Sequence, residues 1–194
     1  MSDFLIDFSK FAPSSEPLRK PTHKKKKSIK NNSSAKNEEL ENLTSKDIQH
    51  SLSLRFINHK YLIYNAFVFD WESDFFSLSE AEYIYEIEIK VSRGDFKDDF
   101  NKKDKHMLLE SQNSTSFLKK PNKFFYAAPK GLLTTLQIPE YAGFIEVDSR
   151  HNMATVVKEA PFLHREKVFP SYKESLLDKF YFRYRELLFE KDLD

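Results

Sequence analysis

The sequence predicts an α/β (α+β) domain: a central mixed β-sheet flanked by helices, behind a disordered basic arm. Three observations predict it. Strand-like runs rich in aromatic and branched residues follow one another from Tyr61 to Ser92. A charged, helix-like stretch separates them from Lys123–Ala128 (KFFYAA), which has the continuous apolar character of a buried strand. An amphipathic segment, Ser171–Lys191, closes the chain.

The elements follow in order. Residues 1–43 differ from the rest: Leu18–Lys30 reads LRKPTHKKKKSIK and Asn31–Asn37 reads NNSSAKN. Apolar side chains are too sparse there to offset the entropy of ordering, so the composition predicts disorder. Phe4–Phe8 (FLIDF) reads as a short docking peptide or an incidental apolar terminus. The folded domain is expected over residues 44–194. Ile48, Leu52 and Phe56 recur four apart and predict a helix from Thr44 to Phe56, capped by Thr44 or Ser45. Strands are expected over Tyr61–Phe69, Asp74–Leu78 and Tyr83–Ser92. Ser92-Arg93-Gly94-Asp95 resembles a capping box, opening one helix that runs to Glu110 with a narrow stripe of Phe96, Phe100, Met107 and Leu108. Ser111–Asn122 reads as a loop, and Pro129 ends the KFFYAA strand. Gly131–Gln137 reads as a short helix, and Gly143–Asp148 and Met153–Lys158 as strands joined by a turn. The last helix carries Leu176, Leu177, Phe180, Tyr184, Leu187 and Leu188 on its apolar positions.

Composition excludes several classes. The 194 residues, 40% hydrophobic with 19 Phe, suffice for one domain with a core. The chain has no Cys, which excludes disulfide scaffolds and thiolate zinc sites. No apolar run is long enough to span a bilayer and no secretory leader is visible, so a cytoplasmic protein with no membrane partner is expected. Gly occurs only at 94, 131 and 143, which leaves no phosphate-cradling loop and no nucleotide cofactor. The six His are scattered without metal-ligand spacing. The net charge of +1 says little, because the Lys residues are clustered locally.

The chemistry sits in two adjacent strands. Alternate residues of a strand share a face. Tyr85, Ile87, Ile89 and Val91 would then point one way, and Glu86, Glu88, Lys90 and Ser92 the other. Charges on an inner strand are rare unless paired or bound to metal. Asp74 heads the preceding strand. Magnesium keeps several waters and needs few protein oxygens. Asp74, Glu88 and the Ile89 backbone carbonyl could supply them. Lys90 would orient or deprotonate a water, or stabilise phosphate charge. A cross-strand salt bridge on an exposed face explains the same residues without metal.

Ser73-Asp74 and Glu88-Ile89-Lys90 resemble the signature of the PD-(D/E)XK nuclease superfamily. The wider pattern is similar to its MmcB-like branch of DNA repair proteins. That branch has a V/I-E-x-K-x-S-R-x-D-F stretch, a FYFAVP strand and an LPEEAGLI-AD segment. Here Glu88–Phe96 reads EIKVSRGDF, Phe124–Pro129 reads FFYAAP and Ile138–Asp148 reads IPEYAGFIEVD, with Val157–Pro161 (VKEAP) last. The resemblance covers roughly Leu54–His164. It implies a restriction-endonuclease-like core with a metal site at one sheet edge, Mg (or Mn) as cofactor, DNA as partner, and a bacterial or phage setting. Asp74, Glu88 and Lys90 carry over directly. Ser73 replaces the Pro of the "PD", and the acidic residue expected on the first helix has Asp47 as its candidate.

The remaining charges divide by position. Glu72 and Glu86 share the face of Asp74 and Glu88 by alternation, and read either as solvated or as accessory to the site. Ser92 and Asp95 read as caps. Arg93, Lys97, Lys105 and His106 could meet backbone phosphate, or form a solvated helix face. Lys24, Lys25, Lys26 and Lys27 form a cationic arm that could add salt-sensitive DNA affinity or solubilise the chain. Two functions are therefore expected as alternatives: a metal-dependent DNA endonuclease-type hydrolase in repair or phage DNA metabolism, or a catalytically inactive nucleic-acid-binding or phage accessory module on the same fold. A structural protein with an incidental charged strand face is the third.

Overall fold

The computed structural model describes residues 43–111 and 119–190. The expected arm, with Lys24–Lys27, lies outside the described residues except for Leu43, which packs on the first apolar cluster. The elements are α1 (Ser45–Arg55), β1 (Tyr61–Phe67), β2 (Glu72–Leu78), β3 (Ile84–Ile89), α2 (Arg93–Asp99), α3 (Lys103–Glu110), β4 (Lys123–Pro129), β5 (Ala142–Asp148), β6 (Met153–Lys158) and α4 (Pro170–Glu190). The strands form one mixed sheet in sequential order. β1, β2 and β3 are an antiparallel meander, β4 and β5 run parallel to β3, and β6 returns antiparallel to β5. The expected mixed sheet flanked by helices is therefore the observed one.

Period-two alternation builds two sheet faces. Phe75, Ile87, Ile89, Phe125, Ala127, Ile145 and Val147 line one, and α1 covers it with Ile48, Leu52 and Phe56. α1 starts where Thr44 and Asp47 complete a capping box: the Asp47 N–H donates to Thr44 Oγ1, and the Asp47 carboxylate takes the Thr44 N–H at 2.9 Å. On the other face, Phe96 and Leu109 of α2 and α3 pack on Phe124, Tyr126 and Phe144. Next to them, Val168 and Leu176 cover Ile63, Phe76 and Ile84. Gly143 is needed where β5 passes Phe125: an added Cβ would lie 2.4 Å from that ring and 2.7 Å from the Ala160 backbone nitrogen.

Three expectations about elements need correction. The helix expected from Ser92 to Glu110 is two helices, broken at Phe100–Lys102. Ser92 does cap α2, accepting the Asp95 N–H at 3.1 Å, but Asp95 turns to the Val91 N–H rather than closing a box. The stripe read as buried is partly solvated: Phe100 and Met107 are exposed, whereas Lys105, His106 and Leu109 are buried. The helix expected over Gly131–Gln137 contracts to a 3-10 turn, Thr135–Gln137. In α4 only Leu176 of the expected apolar positions is fully buried, and Leu177, Tyr184, Leu187 and Leu188 face solvent. Among the described residues no helix is long and apolar enough to cross a membrane.

Candidate active site

β2 and β3 place the two acidic side chains. Their register pairs Phe75 with Ile87 and Phe76 with Glu86, so one step further sets Asp74 opposite Glu88 on the same face. Two hydrogen bonds hold Asp74. Its Oδ2 accepts the Ile89 backbone N–H at 2.8 Å. Its backbone carbonyl accepts Gln49 Nε2 of α1 at 3.0 Å, and the same amide nitrogen donates to Asn65 Oδ1 at 2.8 Å. Asn65 sits at φ 48°, a left-handed conformation that Asn tolerates better than most residues.

Glu86, Glu88 and Lys90 form a charged row along β3, between the two apolar clusters of this face. Burial of such groups is tolerable only with partners. The break between α2 and α3 supplies them. Lys105 Nζ lies 2.7 Å from Glu88 Oε2 and 3.1 Å from Glu86 Oε1, over the rings of Trp71 and Phe124. Trp71 Nε1 also donates to Glu86 Oε1, at 2.7 Å. Lys90 Nζ lies 3.0 Å from Glu88 Oε1, 3.2 Å from Asp99 Oδ1 and 3.5 Å from Asp95 Oδ1. Asp99 Oδ2 accepts the Tyr126 hydroxyl at 2.8 Å. His106 bridges the Asp99 carbonyl and the Tyr141 hydroxyl. Glu86 Oε2 is the one carboxylate oxygen of this row buried without a hydrogen-bond partner among the described residues.

The electrostatics divide the carboxylates. Burial, then the facing Glu88, pushes Asp74 up to about 6. Burial also raises Glu86, with Lys105 offsetting part of the effect. Burial opposes ionisation of Glu88 too, but Lys105 and Lys90 outweigh it and hold Glu88 below the ordinary carboxylate value. Asp99 is held low in the same way by Lys90 and Lys105. Burial weakens the charge of Lys105, yet Glu86 and Glu88 raise it well above an ordinary lysine. The charges therefore divide into ionised Glu88 and Asp99, held by the surrounding lysines, and two carboxyl groups, Asp74 and Glu86, whose affinity for a proton burial raises.

The structure brings Asp74, Glu88, Ile89, Lys90 and Glu86 together and leaves other candidates elsewhere. Asp47 is the capping acid of α1, which accounts for its carboxylate. Glu72 is exposed at the start of β2, opposite Phe67. Lys105 and His106, expected to meet phosphate, instead point inward to Glu88 and Asp99, because the helix break turns that side of α3 toward the sheet. Arg93 is exposed and donates Nε to the Leu132 carbonyl at 3.0 Å, and Lys97 is exposed. The row begins on β3, third of six strands, and opens to solvent at Val91 and Ser92, rather than lying along an edge strand. Four members were not among the site residues expected from the sequence: Asp99, Lys102, Tyr126 and Trp71. The visible signal was Asn101, a residue that often ends helices, two residues after Asp99 and directly before Lys102.

Among the described residues no three His, Cys, Asp or Glu side chains are grouped to hold a metal ion. Two facing carboxylates nevertheless fit magnesium, which needs only one or two from the protein. Burial first, and Glu88 second, raise the affinity of Asp74 for a proton, and a divalent cation would favour its ionised form against both.

No family model matches the chain, and no curated protein does. Among solved structures, the chain is similar to the SPO1766 protein of unknown function from Silicibacter pomeroyi. The identity is 20%, the TM-score 0.53, and the match covers 74% of this chain and 88% of that one. That likeness concerns the fold alone.

Proposed function

We propose that this chain is a metal-dependent, nuclease-type protein acting on DNA phosphodiesters in the cytoplasm, in DNA repair or phage DNA metabolism. The observation that carries the reading is the placement of Asp74 opposite Glu88, with Lys90 two residues along on the same face. The resemblance to the MmcB-like branch supports it. Asp74 and Glu88 would hold Mg or Mn, with the Ile89 carbonyl beside them. When bound, the ion supplies Lewis acidity and lowers the pKa of water.

The chain's own residues do the rest. The Ile89 N–H and Gln49 fix Asp74 in place, so little reorganisation is needed. Glu88 and Asp99 keep Lys90 charged, which suits it to stabilise negative charge on phosphate rather than to act as a base at neutral pH. Arg93 and Lys97 stand exposed on α2 beside the opening, where phosphate contacts would position a strand.

The test is nicking of plasmid and of branched or single-stranded DNA with magnesium, comparing wild type with Asp74→Ala and Lys90→Ala. Each variant should lose on the order of 100-fold or more. Equal activity in all three proteins would refute the reading. One observation favours the second reading, a non-catalytic DNA-binding module: three lysines already neutralise Glu88. That reading expects salt-sensitive DNA binding that survives Asp74→Ala and weakens when residues 1–40 are removed.

A further inference from the structure

One ammonium in the charged row differs from the others. Lys102 reaches in from the turn between α2 and α3, with Nζ 2.9 Å from Glu88 Oε1 and 3.0 Å from Asp99 Oδ1. Its side chain stays 51% exposed, against 4% for Lys90 and 3% for Lys105. Lys90 Nζ spans the same two oxygens from inside, at 3.0 and 3.2 Å. Two cations thus bridge one pair of carboxylate oxygens. One is locked in the interior, and the other hangs on a flexible stem from the surface.

The two are not equally dispensable. Removing Lys90 or Lys105 would strand buried carboxylates. Removing Lys102 leaves both oxygens it touches with a donor, because Lys90 still serves Glu88 Oε1 and Asp99 Oδ1. A half-exposed ion pair is weak and screened, so its release costs little.

We propose that Lys102 is a tethered cation that holds the Glu88 oxygen in the metal-free protein and gives it up when a divalent ion binds. This rests on the nuclease-type reading and names a regulation of the same site. Lys102 is a positioning residue here: it sets the metal concentration at which the site fills, by competing for it.

The experiment is titration of the full-length protein with Mn²⁺ alone, followed by calorimetry and by the loss of the free-ion paramagnetic signal. The proteins are wild type, Lys102→Met, Lys102→Arg, Glu88→Gln and, as a control for net charge, Lys103→Met. Lys102→Met should bind Mn²⁺ about three- to tenfold more tightly than wild type. Lys103→Met should match wild type, and Lys102→Arg, which keeps the charge, should not tighten. General damage to the fold would weaken binding, so tightening cannot arise that way. Binding that is equal or weaker in Lys102→Met, while Glu88→Gln still loses the ion, would overturn the role of Lys102 and leave the nuclease-type reading standing. No Mn²⁺ uptake by any of the proteins would remove both.

Discussion

The carboxylate of Asp74 accepts the backbone N–H of Ile89 at 2.8 Å, one residue beyond the Glu88 that faces it. This bond clips the head of β2 to the end of β3 and places one partly buried carboxylate against another. Burial, and then the charge of Glu88, oppose ionisation of Asp74. Asp74 accordingly titrates at about 6 in the fold, against about 4 in an unfolded chain.

The sign of the consequence follows from that shift. A raised carboxyl pKa contributes stability that is complete below about pH 4 and is lost as pH rises through about 6. Asp74→Asn keeps an oxygen for the Ile89 N–H and removes the charge. The metal-free variant should therefore be more stable than wild type at pH 7.5, by about 1–3 kcal/mol, with the gain vanishing near pH 4. Urea unfolding of both proteins at the two pH values measures it. A variant no more stable at pH 7.5 than at pH 4, relative to wild type, would show that neither burial nor Glu88 opposes the Asp74 charge.

Lys105 is the keystone of the charged row. It is the buried ammonium shared by Glu86 and Glu88. Lys105→Met preserves most of the apolar stem over Trp71 and Phe124 and deletes the charge. The variant should lose about 3–5 kcal/mol at neutral pH, because two carboxylates remain buried with one partner fewer. Adding Glu86→Gln should restore part of that loss. Chemical denaturation of the single and double variants tests the coupling, and a loss under about 1 kcal/mol in the single variant would mean the row is open to water.

What could be read in advance follows the distance over which each pattern acts. The alternation in Tyr85–Lys90 was legible because a strand repeats every two residues, so Glu86, Glu88 and Lys90 had to share a face. Asp74 could be assigned to that face only once β2 and β3 were given a register, which the wider resemblance suggested and the pairing of Phe76 with Glu86 fixes. The lysines were misread for a physical reason. An unbroken helix through residues 92–110 would have turned Lys102 and Lys105 outward, and no Gly or Pro marks the break at Phe100–Lys102. The break follows instead from side chains far apart in sequence, since Glu86 and Glu88 draw Lys105 inward and Asp99 meets Tyr126. Tertiary partners, rather than local propensity, decide that segment. In α4 the periodicity was right but the partner was not: an apolar stripe marks what a helix can bury, and Leu187 and Leu188 bury little against the described residues.

The opposite face of the sheet offers a prediction independent of the charges. Gly143 pairs with Phe125 where β5 lies beside β4, under the cluster that α1 covers. A methyl group there would meet two atoms of the Phe125 ring at 2.4 Å and the Ala160 backbone nitrogen at 2.7 Å. The ring can rotate or shift, but the backbone nitrogen can move only with its strand exit. Gly143→Ala should therefore cost about 1–3 kcal/mol from overpacking. Adding Phe125→Leu should recover only part of that cost, because the second contact persists. Thermal unfolding of the three proteins reads both effects, and full recovery in the double variant would place the whole constraint on the ring. Since Phe125 and Gly143 face away from Glu88, the Mn²⁺ affinity of Gly143→Ala should equal that of wild type, which separates sheet packing from the chemistry of the charged row.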